Sequence, residues 1–309
     1  MPRGRVISIE VLLLFVNDVV FGQNARKFSC SKNISGNQPF CFMPDYRSDI
    51  KPDTGESALD IFVHLNTRGI TEINDDDATI TLALTLSITW IEPRLHLLSN
   101  SSEWIIEEDD LNWATLNQQW LDYFWKPDMD IANIKEFKTK SLLKKQGSFE
   151  LYENKRIWYD FPVEITLACP LFNFDNYPLD QQVCELVIGS YEYNAKEMTY
   201  SGDIYYDKKN QRSLQYEVKD VTVLEKSIFS NLEYWMNKNM TIENGYFNYS
   251  YFAVRIELDR LIQPHIFRTY LPSCMFVVSS WIGFVISHDA VPGRIALSAM
   301  LLLVLIGMR

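Results

Sequence analysis

Apolar residues come first in short β-branched or alternating runs separated by polar clusters, and then in two long runs at the C-terminal end. Residues 79–90 (TITLALTLSITW) predict a strand, because branched side chains fit a pleated, half-buried surface. Residues 156–169 (RIWYDFPVEITLAC) predict another, in which Pro162 marks an edge or a bulge, since proline has no N–H to give the ladder. Residues 216–224 and 249–258 read as two more. Polar clusters at 69–77, 98–103, 206–213 and 237–245 supply the turns. A helical turn is expected at 45–49, ahead of the first strand. Many strands with polar turns predict a mainly β fold built as an antiparallel sandwich.

The ends differ from this body. Residues 1–22 carry two arginines, a short apolar core (VLLLF) and a small residue at a plausible cut site, the pattern of a signal peptide. Sequons at Asn33, Asn100, Asn239 and Asn248 agree with export and with glycosylation. Between Arg268 and His288 lie 19 uncharged residues, long enough as a helix to cross a hydrocarbon core of about 30 Å. The next apolar run, 295–308, has 14 residues and reads as a second membrane helix cut short.

Charge and composition narrow the function. The 29 Lys and Arg against 40 Asp and Glu leave a net charge of −11, which disfavours nucleic acid as a partner. Aromatic residues make up 14% of the chain, in keeping with a β-rich body. No nucleophile elbow, H-E-x-x-H, Walker loop or paired C-x-x-C is present, so an enzyme is not expected, and neither is a cofactor or a metal site. Of the 5 cysteines, Cys274 falls inside the first long apolar run. The others, Cys30, Cys41, Cys169 and Cys184, are spaced so that two short-range bridges are open to them. A Cys169–Cys184 bridge is too local for the cross-sheet bridge of an immunoglobulin domain. The loop it closes is unusually apolar for a solvent-facing segment, as if it rested on lipid or on membrane helices.

That loop, CPLFNFDNYPLDQQVC with Tyr177, Pro178 and Asp180 inside it, resembles the signature of the Cys-loop pentameric ligand-gated ion channels. Trp90, Arg94 and Leu95 resemble the family's W-x-D-x-R-L, and Trp125, Pro127 and Asp128 its W-x-P-D. Arg260 stands where the family keeps a basic residue before its first membrane helix, which residues 270–281 resemble. Residues 289–294 resemble the linker of the chloride-conducting branch, and the chain is similar in look to glycine- and GABA-receptor-like subunits, including divergent invertebrate ones. The loop holds 14 residues between its cysteines, one more than the family loop.

The resemblance implies an extracellular, immunoglobulin-like β-sandwich over 23–264 with a short N-terminal helix, at the plasma membrane. It implies a transmembrane domain over 265–309, with a first helix at about 267–287 and a partial pore helix at 294–309. It implies one subunit of a homo- or heteropentameric neurotransmitter-gated chloride channel in the lipid bilayer; the alternative is a non-conducting ligand-binding, accessory or dominant-negative subunit. Disulfides Cys169–Cys184 and Cys30–Cys41 are expected. Agonist binding falls to Tyr191, Tyr246, Phe247 and Tyr249, whose ring faces suit an ammonium group. Coupling to the pore falls to Asp75, Tyr177, Pro178, Asp180 and Arg260. Selectivity falls to Pro292, Gly293 and Arg294, and the gate to Leu303, nine residues beyond Arg294. Ser87 and Pro162 stand where amino-acid-gated relatives keep arginines. An amine or a proton therefore gains ground on an amino acid as the small-molecule agonist.

Overall fold

The computed structural model describes residues 39–307 apart from 56, 99–102, 106–110, 140–145, 208–214, 230–247 and 286–290. The expected signal peptide, the N-terminal helix, Cys30, Asn33, Asn100, Asn239, Tyr246 and Phe247 lie outside the described residues. Residues 45–49 form turns rather than the expected helical turn, with Arg47 and Asp49 paired side by side.

Two sheets face each other. The larger has seven strands in the order β11 (Met198–Tyr206), β2 (Leu59–Asn74), β3 (Thr79–Ile91), β9 (Arg156–Ala168), β8 (Ser148–Tyr152) and β5 (Trp113–Thr115), with β7 (Ile134–Thr139) on β9 as well. The smaller has four, in the order β12 (Tyr216–Phe229), β13 (Asn248–Arg260), β10 (Gln181–Gly189) and β6 (Asp130–Ile131). Strands β1 (Phe40–Phe42) and β4 (Leu95–Leu97) form a separate pair. One pairing departs from the antiparallel expectation: β11 runs parallel to β2, from Met198 beside Leu59 to Tyr206 beside Thr67. Parallel neighbours need a long crossover, and β11 follows β2 only after more than a hundred residues.

Period-two alternation fixes which faces are buried. On β2, Leu59, Ile61, Val63 and Leu65 face the core while Asp60, Phe62 and Asn66 face out. Ile157, Val163, Ile165 and Leu167 of β9 meet Phe252, Val254, Ile256 and Leu258 of β13 in the same core cluster. Each of these side chains stabilises the fold by about 2 kcal/mol when fully buried. Phe40, Phe42, Trp120, Phe124 and Phe149 pile edge to face at one end of this core.

Pro162 sits inside β9, which has a neighbour on each side. On one side β8 pairs only as far as Asp160 and β7 begins at Val163. Pro162 occupies the place where β9 changes partner, so its missing N–H leaves no ladder bond unmade there.

Helical structure runs without a break from Ile262 to Val285, and residues 286–287 of the helix expected at about 267–287 lie outside the described residues. A helical turn at Ile262–His265 leads into a π-helical stretch at Ile266–Tyr270 and then helix α1 at Leu271–Val285, of 15 residues. Pro272 cannot bond the carbonyl four residues earlier, and the wide turn lies directly before it. Helix α2, expected from 294, begins at Val291 and runs to Gly307. No described helix is long and apolar enough to cross a membrane.

Candidate functional site

At one end of the sandwich, four segments meet on a single side chain. β13 ends at Arg260, whose side chain is 1% exposed. Its Nε donates to Asp180 Oδ1 at 2.7 Å and its Nη2 to Asp180 Oδ2 at 3.0 Å, a two-pronged pair. Its Nη1 donates to Asp75 Oδ2 at 2.6 Å. Asp75 lies in the turn between β2 and β3, and its other oxygen accepts from the Tyr216 hydroxyl at 2.7 Å. The guanidinium also lies 4.5 Å from the Tyr216 ring centre and 4.9 Å from that of Tyr177. Burial opposes charge on Asp180, yet the Arg260 guanidinium and the Gln182 amide donate to it and hold its carboxyl below the usual range. Burial, together with the bond to Asp75, pushes the Tyr216 hydroxyl well above its usual range.

Asp180 belongs to the loop closed by the Cys169–Cys184 disulfide. The loop tip is apolar and open: Leu179 is 70% exposed and Tyr177 55%. Tyr177 precedes Pro178 through a cis peptide bond. Its hydroxyl lies 3.2 Å from His265 Nδ1, in the helical turn that follows β13. The loop thus touches both the turn at Asp75 and the start of the helical segment.

A second assembly lies where β10 leaves its sheet. The Asp128 carboxylate accepts the Ser190 hydroxyl at 2.9 Å and the N–H groups of Tyr191 and Glu192 at 3.0 and 2.7 Å. The Tyr200 hydroxyl donates to the Asp128 carbonyl at 3.0 Å. The Tyr191 ring itself is 82% exposed, so the loop is fixed by its backbone and leaves the ring free to meet a ligand. Gly189 admits the Tyr251 ring: a Cβ there would stand 2.9 Å from the Ser250 carbonyl and closer still to the ring. Tyr249 lies on β13, two residues from Tyr251.

On the outer face of the larger sheet, Ser87 of β3 stands directly opposite Asp160 of β9. Asp160 Oδ1 is buried without a hydrogen-bond partner. Burial and the nearby Glu150 carboxylate push the Asp160 carboxyl up. Glu150 accepts from the Ser148 and Tyr152 hydroxyls at 2.7 and 3.2 Å. Arg68 of β2, whose Nε donates to the Thr85 hydroxyl at 3.1 Å, lies on the same face and offsets part of this negative charge.

Residues 41–262 match the family described as the neurotransmitter-gated ion-channel ligand binding domain. The chain belongs to this family. It is 30% identical to a gamma-aminobutyric acid receptor subunit beta of Lymnaea stagnalis, over 82% of this chain and 48% of that protein. It is 27% identical to a glutamate-gated chloride channel of Drosophila melanogaster, over 78% of this chain and 48% of that protein. Ligand-gated ion channel 50 of Caenorhabditis elegans is 25% identical, over 97% of this chain and 57% of that protein. The chain spans about half the length of these curated relatives. Members of this family are ligand-gated receptors rather than enzymes.

The remaining sequence-derived residues of this chain are spread out. Cys41 is disulfide-bonded. Asn248 opens β13. Pro292 and Gly293 lie in the first turn of α2 together with Arg294, and Leu303 lies on the same helix, 68% exposed. No cluster of His, Cys, Asp and Glu among the described residues is arranged to hold a metal. Sequence reasoning missed Tyr216 and the role of Asp128, although Asp128 ended a motif already noted. Glu92, which stands inside the run that resembles W-x-D-x-R-L, is 0% exposed and grips Arg94 at 2.7 Å behind the strand end.

Proposed function

We propose that the chain contributes one subunit to a pentameric, anion-selective neurotransmitter-gated channel. Agonist binds between neighbouring sandwiches against Tyr191, with Tyr249, Tyr246 and Phe247 from the β12–β13 end completing an aromatic cage. The preferred agonist is an amine: the rings at the Tyr191 site suit an ammonium group, and Ser87 and Pro162 stand where amino-acid-gated relatives keep arginines, while the Arg68 guanidinium on that face is set against the Asp160 carboxylate. Movement passes through Asp75, the disulfide loop with Tyr177, Pro178 and Asp180, and Arg260 to the C-terminal helices, which lie in the bilayer. Pro292, Gly293 and Arg294 favour chloride because no acidic ring faces the ion there, and Leu303 closes the pore.

The observation that supports this reading most is the convergence of Asp75, Asp180 and Tyr216 on Arg260, at the residue preceding the helical segment. It joins both sheets and the loop to the part that would move. The test is a recording from cells expressing the full-length protein, with amines, amino acids and pH steps applied while external chloride is replaced. A reversal potential that follows chloride supports the reading; one that follows sodium, or silence despite surface expression, overturns it.

A further inference from the structure

One contact ties the tip of the disulfide loop to the chain that leads into α1. The Tyr177 hydroxyl lies 3.2 Å from His265 Nδ1, and the two rings meet edge to face with centres 5.2 Å apart. His265 closes the helical turn after β13 and stands directly before the π-helical stretch. Histidine is the side chain that ordinarily changes charge between about pH 5 and 8. A titratable ring therefore sits at the junction between loop and helix.

The surroundings decide what a proton does there. His265 Nε2 is buried and has no hydrogen-bond partner. The Arg260 guanidinium lies on the Tyr177 ring too, 4.9 Å from its centre, and Arg268 follows on the helical segment. Asp75 and Asp180 leave this cluster one negative charge in excess over Arg260, yet their four oxygens are taken. Asp180 accepts from Arg260 at both oxygens and from Gln182, and Asp75 accepts from Arg260 and from the Tyr216 hydroxyl. A neutral imidazole satisfies the Tyr177 hydroxyl at Nδ1 as either acceptor or donor. An added proton makes both ring nitrogens donors. The N–H at Nε2 then brings positive charge to a place without an acceptor, and the Tyr177 ring stands between two cations. An unpaired charged donor is costly when buried and satisfied in water. Acid therefore favours the arrangement in which the imidazole has left Tyr177.

We propose that His265 is a positioning residue: neutral, it pins the disulfide loop to the start of the helical segment, and protonated, it lets the loop go. Protons thus act at this junction, apart from the agonist site at Tyr191. The proposal rests on the reading that the loop passes movement to the C-terminal helices, but release of the loop is measurable without any current.

The test places a reporter on the loop tip, where Leu179 is 70% exposed. Full-length protein with its free cysteines replaced by serine, Cys274→Ser among them, carries Leu179→Cys labelled with an environment-sensitive fluorophore, in lipid nanodiscs. Acidification from about pH 7.5 to about 5.5 is expected to change the emission along a single-proton curve. His265→Phe keeps a ring at the junction without a titrating group and abolishes the curve. Tyr177→Phe removes the hydroxyl and shifts the ratio of docked to released loop about fivefold toward release at neutral pH, so the emission there resembles that of the parent in acid. His64→Phe, on β2 beside Asp203, leaves the curve unchanged. Tyr177 is exposed, so Tyr177→Phe carries the test even if His265→Phe disturbs folding. A curve that persists in His265→Phe, or emission that does not respond to acid in the parent, overturns the proposal. The expected fluorescence from a protein that passes no current supports the switch and counts against the channel reading instead.

Discussion

Arg260 and Asp180 are 80 residues apart in the chain, yet their side chains form a two-pronged ion pair in which each is 1% exposed. A pair this dry holds only while both partners stay charged, because each alone would be a buried, uncompensated ion.

Removing one partner is therefore expected to cost more than the pair's net contribution. Arg260→Gln should destabilise the sandwich by about 3 kcal/mol, because it strands the Asp180 carboxylate. Thermal unfolding of the purified protein measures this. Asp180→Asn together with Arg260→Gln should recover part of the loss, since the second change removes the stranded charge.

The same pair sets a pH dependence. The Asp180 carboxyl lies below its ordinary value in the folded protein. Its stabilisation is then present above the unfolded value of about 3.9 and is lost as pH falls through the lower folded value. A stability–pH profile should fall steeply below about pH 4, and Asp180→Asn should flatten that limb. An unchanged limb would count against a folded-state role for this carboxylate.

Asp128 accepts three hydrogen bonds from the segment that carries Tyr191. Asp128→Ala leaves those donors unpaired and lets the loop wander, with Tyr191 on it. The concentration–response curve of whatever agonist opens the channel is expected to move to about tenfold higher concentration. The maximal current should change less, because the change lies far from Arg260.

The disulfide loop spans a sequence separation of 15. Opening it with Cys169→Ala and Cys184→Ala is expected to lower stability by about 3 kcal/mol, from the freedom regained by the unfolded chain. Denaturant titration of the double variant reads this directly.

Strands were legible where a run of branched residues announced them, as at 79–90 and 156–169, because alternation is a local property. The proline within β9 was legible as an anomaly, but its explanation depends on which strands end on either side of it. The parallel placement of β11 against β2 had no local signature at all. Arg260, Asp180 and Asp75 were nameable from motifs, whereas their joint hold on Tyr216 appears only once the two sheets are stacked.

The exchange of partners along β9 at Pro162 has a consequence for how the sandwich opens. Ser148–Tyr152 and Ile134–Thr139 share an edge of the same strand but do not bond to each other across Pro162. Their amides are expected to exchange as two units, with deuterium entering one while the other stays protected. On that expectation the Ile134–Thr139 edge, nearer the disulfide loop, loosens and reseals without melting the Ser148–Tyr152 edge.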